Sequence, residues 1–272
     1  MFKQISFDAL QRGVIDDQRT VNGAMSIGDS IYESSATADY IIGTRVQTWD
    51  GRVFRYAKAG ATSLVQALMT QGAVPSAKCT SIAQTGYAKA VGDTTVTVLV
   101  TTGGIAAGEP WTYEDALVGG TMVCASVSPA VLGDVYDITS SVMIDETHIS
   151  LTLASPIRNA IAATGEVSLV MSKYSRTVVM PTTTATASAA GVPLCPVPAG
   201  YYYWAQTKGP CPMIVDTGDT IVIGALAGIP ATNAVAGTAG AATATLYQFP
   251  IYGRVLSVAA ADKVGLIDLM LD

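Results

Sequence analysis

PVPAGYYYWAQTKGPCPMIVDTGDT, Pro196–Thr220, decides how the rest of the chain is read. It holds three consecutive tyrosines, Tyr201, Tyr202 and Tyr203, followed by Trp204, with Cys195 just before it and Cys211 inside it. A buried aromatic side chain removes about 150–250 Å² from water. In a strand, Tyr201 and Tyr203 share one face while Tyr202 and Trp204 share the other. Both faces are bulky, so the strand is expected to be covered on both sides. That fits a central strand, or one at a subunit interface, where Tyr and Trp are enriched. Lys208–Gly209–Pro210 reads as a turn, which makes GYYYWAQT and CPMIVD the two arms of a hairpin. This is the core hairpin expected of an all-β domain, and Tyr201, Tyr202, Tyr203 and Trp204 are its candidate interface residues.

Working outward, Thr44–Ala61 is a second hairpin. TRVQTW and RVFRYAKAGA alternate around Asp50–Gly51, the dipeptide of a type I′ turn. Ser63–Gln71 has a serine N-cap, apolar residues at helical spacing and Gly72 as a stop, so a short helix is expected there. Pro156–Ala163 reads as a helical turn. The middle of the chain carries TTVTVLVT (Thr94–Thr101), LVGGTMVCASV (Leu117–Val127), GDVYDITSSVMI (Gly133–Ile144), THISLTL (Thr147–Leu153) and EVSLVMS (Glu166–Ser172). Short β-branched runs separated by turn signals point to a sandwich or barrel. PTTTATASAA (Pro181–Ala190) is low in complexity and reads as a linker or extended loop. The Ala/Gly/Thr-rich stretch Ala225–Thr245 is either a solvent loop or a closely packed intersubunit surface. Strands are expected at Thr245–Gly253 and Val264–Leu271.

The expected organisation is an N-terminal arm (1–43), a core β domain (44–73 with 181–272) and a second β region (74–180), protruding from it or separate. The arm is weakly patterned and lies either across a neighbour or along its own domain. The fold class is all-β, mainly an antiparallel sandwich or barrel, with one or two short helices.

Half the residues are hydrophobic and only 13% are charged, against roughly 25% in an ordinary domain. A surface so poor in charge suits a protein covered by partners. The net charge of −6 and scattered Lys and Arg argue against nucleic acid. The most apolar window, Ile221–Leu246, is broken by Pro230, Asn233 and four glycines, which argues against a membrane span. MFKQISFDALQRG has no apolar core and does not read as a secretory signal. Cys79, Cys124, Cys195 and Cys211 form no CxxC pair, so buried thiols in a reducing compartment are expected, with no metal and no cofactor.

Catalytic constellations are sparse. His148 is the single histidine and sits beside Asp145–Glu146 at the end of an alternating strand. No GxSxG elbow, phosphate loop or EF-hand is present. The paired acids Asp16–Asp17, Glu114–Asp115, Asp145–Glu146 and Asp216 with Asp219 all sit at turns or in polar linkers, where Asp is favoured for local hydrogen bonding. The chain does not read as an enzyme. Tyr201–Trp204 as a sugar-stacking platform is the alternative to aromatic core.

Several pieces together resemble a known family. They are DGRVFRYAKAG (Asp50–Gly60), VGDTTVTV (Val91–Val98), GDVYDI with ISLTLASPI (Gly133–Ile157), EVSLVMSKY with VV (Glu166–Val179), GV with VPAGYYYWAQTKGPC (Gly191–Cys211), and PIYGRVLSVA with GLIDLML (Pro250–Leu271). In this order they resemble the capsid decoration, or cement, proteins of tailed bacteriophages, over roughly residues 44–272. The resemblance implies an all-β virion structural protein, commonly a homotrimer. It is made in the host cytoplasm and seated on the outer capsid surface. There it would bridge major capsid subunits, with no catalytic residues. The arm Met1–Ile42 would add a strand to a capsid-protein sheet. A tail-fibre or receptor-binding protein recognising host glycan is the competing reading. A hydrolase using His148 and a major capsid protein are further ones, the last lacking the long spine helix it would need.

Overall fold

The computed structural model describes residues 14–15, 31–48, 50–100, 115–125, 133–181, 185–216, 221–229, 237–241, 251–260 and 262–272. The chain divides into two compact units, Met1–Gly72 with Arg176–Asp272, and Ala73–Ser175. The first unit opens with β1 (Val14–Ile15), β2 (Ser34–Ser35), β3 (Arg45–Thr48), β4 (Val53–Lys58) and β5 (Thr70–Gln71). The second contains β6 (Ile82–Ala83), β7 (Thr95–Leu99), β8 (Thr121–Cys124), β9 (Val135–Asp145), β10 (His148–Leu153) and β11 (Glu166–Val170). The chain then returns to the first unit with β12 (Val178–Val179), β13 (Ala189–Pro193), β14 (Tyr202–Ile214), β15 (Leu226–Gly228), β16 (Gly240–Ala241), β17 (Ile251–Ser257) and β18 (Val264–Met270). The protein is all-β. Its two sheets are antiparallel throughout the named strands and curl into half-barrels.

The first sheet runs β1-β3-β4-β14-β18-β17-β15-β16, with β2, β5, β12 and β13 attached beside it. The second runs β6-β11-β8-β9-β10-β7. In the second sheet the alternation expected from sequence is literal. Ile149, Leu151 and Leu153 of β10 and Val167 and Leu169 of β11 are buried, while the residues between them are partly exposed. Tyr136, Ile138 and Met122 complete that core.

The expected hairpin at 201–216 is instead one continuous 13-residue strand, β14. No turn forms at Lys208–Gly209–Pro210. Against β4 the register shifts between Gln206 and Lys208, so Thr207 is an extra residue, a β-bulge. Gly209 follows with φ of +83°, a conformation glycine adopts without strain. The strand bends here and continues along β18, from Lys208↔Met270 to Ile214↔Val264. Pro210 and Pro212 are tolerated because alternate residues face opposite edges. The Thr207 carbonyl accepts from Leu271 on the β18 side, while Ile214 N–H donates away from β18, to Ala67 O. The prolines share the edge of Ile214, where β18 asks for no donor. Around the bulge the Gln206 side-chain amide donates to the carbonyls of Lys208, Gly209 and Pro210.

The bulge also reverses the parity of the strand. Tyr202 and Trp204 face the main core before it, whereas Cys211, Met213 and Val215 face the same core after it. One extra residue carries the core side from even to odd positions.

Other expectations are corrected. Ser63–Gln71 is not a helix: Leu64 bridges Val197, Ala67 has φ of +63°, and Thr70–Gln71 is β5. A helix of this length is marginal alone, while the neighbouring segments supply backbone partners and bury Leu64, Leu68 and Met69. Pro156–Ala163 is not helical either: it bends at Arg158–Asn159 and bridges Lys89 through Ile161. Among the described residues the sole helical segment is a short 3-10 turn, Ala77–Cys79. The Asp50–Gly51 loop is not type I′: only Gly51 of the pair has positive φ, and Gly51 N–H donates to Thr48 O. This is the longer hairpin loop closed by a glycine bulge. The Asp50 carboxylate holds it through Thr48 Oγ1 and, at 2.8 Å, Arg52 Nε.

In the second half of Pro181–Ala190, residues 185–188 are the loop expected, but a tethered one that leads into a strand. Gln71 accepts from Thr186 N–H and Ala187 N–H, and Ala189 begins β13. Within Ala225–Thr245, the described residues Ala227, Ile229 and Ala239 lie in the core of the first unit rather than in a solvent loop. Of the N-terminal arm, Val14–Ile15 pairs with β3 of its own chain.

Candidate functional site

The first half of β14 is covered on both faces, as its aromatic run suggests. On one face Tyr202 and Trp204 meet Tyr56 of β4, whose register sets Tyr56 opposite Trp204, and Tyr40. Tyr56 lies 5.0 Å from Trp204 and stacks on Tyr202 at 5.7 Å with 8° between the planes. Tyr40 meets Tyr56 edge-on at 5.2 Å and Trp204 at 5.3 Å. The Lys58 ammonium lies 4.7 Å over the Tyr202 ring. Trp204 is 3% exposed and Tyr56 3% exposed. The Tyr56 hydroxyl accepts the Asp39 N–H, and burial pushes it up to about 12.

On the opposite face Tyr203 is fully enclosed. Thr177 Oγ1 donates to Lys58 O and Thr70 Oγ1 donates to Gly191 O. The Tyr203 hydroxyl is therefore the donor of its 2.9 Å bond to Thr177. Burial pushes this phenol up to about 12, opposed by the two threonine hydroxyls. Tyr203→Phe is expected to cost about 1 kcal/mol of stability, the net worth of one buried hydrogen bond. Urea unfolding checks it, and an unchanged midpoint would mean that the threonine pair is satisfied without the phenol.

Tyr201 precedes the strand and is half-buried. The structure thus brings Tyr202 and Trp204 together on one face and sends Tyr203 to the other. Sequence reasoning missed Tyr40, Tyr56 and Lys58. Tyr56 was discoverable from its alternating hairpin, but nothing in the sequence marks Tyr40.

A shallow cleft of about 200 Å³ opens beside this cluster, lined by Glu33, Ser34, Ser35 and Asp39 together with Tyr40, Tyr56 and Tyr202–Trp204. Its polar rim comes from β2, which pairs with Tyr202 and Tyr203. The lining contains two carboxylates, two serine hydroxyls and aromatic groups, with no histidine, cysteine or lysine. A sugar-stacking platform needs an open ring face, yet each ring of the cluster is engaged by its neighbours or by Lys58.

The other candidates are also engaged locally. His148 Nδ1 lies 2.8 Å from Asp145 Oδ1 and 2.9 Å from Thr147 Oγ1, inside the turn from β9 to β10, and its ring contacts Tyr87. The Thr147 N–H, with His148 and the Thr147 hydroxyl, holds Asp145 down at about 2. Asp115 Oδ1 accepts from Ser140 Oγ and Ser141 N–H. Asp216 is buried and accepts from Thr238 Oγ1. Asp16, Asp17, Glu114 and Asp219 lie outside the described residues. All four cysteines are buried thiols. Among the described residues no group of three His, Cys, Asp or Glu side chains could hold a metal, and no helix is long and apolar enough to cross a membrane.

Lys89 is the unexpected titratable group. It is 3% exposed, and its ammonium donates to Gln84 Oε1 at 3.0 Å and Tyr87 O at 2.6 Å. Burial pushes it down to about 8, slightly offset by the Cys124 thiol. The unfolded chain, with a lysine at 10.5, then binds more protons than the folded one between pH 8 and 10.5. Stability from this group therefore rises with pH through that window. Cys124, pushed by burial up to about 11, acts in the opposite sense from pH 9 to 11. The Lys89 effect is isolated by comparison with Lys89→Met. Wild type is expected to gain on the variant by up to about 3 kcal/mol between pH 8 and 10.5. A difference that stays flat in denaturant titrations would contradict it.

Compared with models of known families, with curated proteins and with solved structures, the chain finds no match.

Proposed function

We propose that this chain is a structural protein of a tailed-bacteriophage virion. It decorates the outer surface of the icosahedral capsid and stabilises it by bridging major capsid subunits. Its partners are the major capsid protein and other copies of itself, as a homotrimer. No catalytic step, cofactor, membrane or nucleic acid enters this function, and the protein is made in the host cytoplasm.

The observation that supports the reading is where the pieces of the resemblance fall. Asp50–Gly60, Gly191–Cys211 and Pro250–Leu271 are far apart in sequence but contribute β4, β14, β17 and β18, consecutive neighbours in one sheet. Their aromatic groups are spent on holding those strands together. The stabilising effect is additive: each copy contributes a modest contact, and many copies on one shell act at once.

Mild dissociation of purified virions, followed by imaging, tests the reading. The expected result is release of this chain from intact shells that then rupture at a lower temperature, with recovery on adding the chain back. Finding the chain in the tail overturns it. So does glycan-array binding that is lost in Tyr202→Ala, which would favour a receptor-binding protein.

A further inference from the structure

We propose that the outer face of the second half of β14, together with β18 and β17, is a self-association surface that receives a second copy of this chain. Past the bulge, the residues of β14 that point away from the core are Lys208, Pro210, Pro212 and Ile214. Their cross-strand neighbours on β18 are Met270, Asp268, Leu266 and Val264, and β17 adds Arg254 and Leu256. A sheet with one face on the core ordinarily alternates to polar residues on the other. Here the outward positions are mainly apolar: Val264 is 56% exposed, Met270 50% and Leu256 42%. An apolar patch held on three paired strands, rather than on loops, is the kind of surface that marks a protein contact.

The charges on the face indicate the occupant. Arg254 is directly opposite Asp268 in the ladder, with Pro210 on the other side of Asp268. Arg254 is steadied by donation to Gly224 O at 3.2 Å. Lys208 lies two residues along β14 from Pro210. The face thus carries two cations and one acid on a chain whose net charge is −6. A second copy is acidic overall, which suits the two cations. It also brings its own Asp268 and its own apolar row, so Asp268 can meet Lys208 while Leu266 and Val264 meet their like. A face that is apolar at one end and mixed in charge at the other lets three copies close about an axis, with Asp268 of one copy against Lys208 of the next and the apolar rows packed together. This rests on the homotrimer of the proposed function and deepens it, by assigning the face through which the copies meet.

The test is the mass of the full chain in solution at tens of micromolar, by light scattering and sedimentation. Wild type is expected to be oligomeric. Leu266→Asp and Val264→Asp each place a charge in the contact and should weaken association about tenfold or more, with unchanged circular dichroism. Lys208→Glu and Asp268→Lys should each weaken it, and mixing the two variants should restore it. A monomeric wild type, or association indifferent to all four changes, overturns the proposal. It is also overturned if the chain is monomeric alone and Leu266→Asp abolishes only binding to capsid shells, since the face then belongs to a different protein. Finding the chain elsewhere than on the capsid would leave these solution masses unchanged, so the location and this contact fail separately.

Discussion

Trp204→Ala is expected to cost about 3–5 kcal/mol, the range for truncating a large aromatic in a packed core. The indole is 3% exposed in the middle of the sheet, touching Tyr40 and Tyr56. Truncation removes two ring contacts and leaves a cavity whose walls belong to paired strands that cannot easily collapse. Tyr202→Ala, on the same face but half-exposed, should cost markedly less. Guanidinium unfolding followed by near-ultraviolet circular dichroism checks both. A loss below about 1 kcal/mol for Trp204→Ala would show that the cluster is a surface platform rather than core.

Gly253→Ala is expected to be at least as severe. Gly253 pairs with Leu269, and a Cβ there would lie 1.8 Å from the Asp268 carbonyl oxygen and 2.7 Å from its carbon. Both are backbone atoms of β18, which is itself fixed by β14. The strands must separate locally, at a cost of about 3 kcal/mol or more. Gly133→Ala is the comparison: that glycine has φ of +81° but open space around it, so only the backbone conformation is penalised, by about 1–2 kcal/mol. Thermal unfolding of the two variants side by side reads the difference. Equal shifts would mean that β17 yields more readily than the ladder implies.

What sequence reasoning recovered follows from where local and global preferences agree. His148–Leu153 and Glu166–Val170 alternate because one face of each is buried and the other is not, so period two survives into the structure. It failed where they disagree. Lys208–Gly209–Pro210 has the composition of a turn, yet β18 offers a full ladder of partners and a bulge absorbs the local preference. Ser63–Gln71 has helical spacing, yet Val197 and strands β12 and β13 meet its backbone needs. The candidate site was legible as an aromatic run. Its meaning was not, because Tyr40, Tyr56 and Lys58 come from distant segments, and Gly209's role depends on a register no local pattern encodes.

The pairing of β4 with β14 also sets an order of events during synthesis. Trp204 sits opposite Tyr56, but all of Ala73–Ser175 must leave the ribosome before the two can meet. At about 5–20 residues per second, the first hairpin then waits on the order of ten seconds without its partner. The second unit is continuous in sequence and can close its own ladders meanwhile. Until Tyr202–Ile214 emerges, Phe54 and Tyr56 stay uncovered on an open strand edge. That interval, more than the finished fold, is when the nascent chain is exposed to aggregation and to chaperone capture.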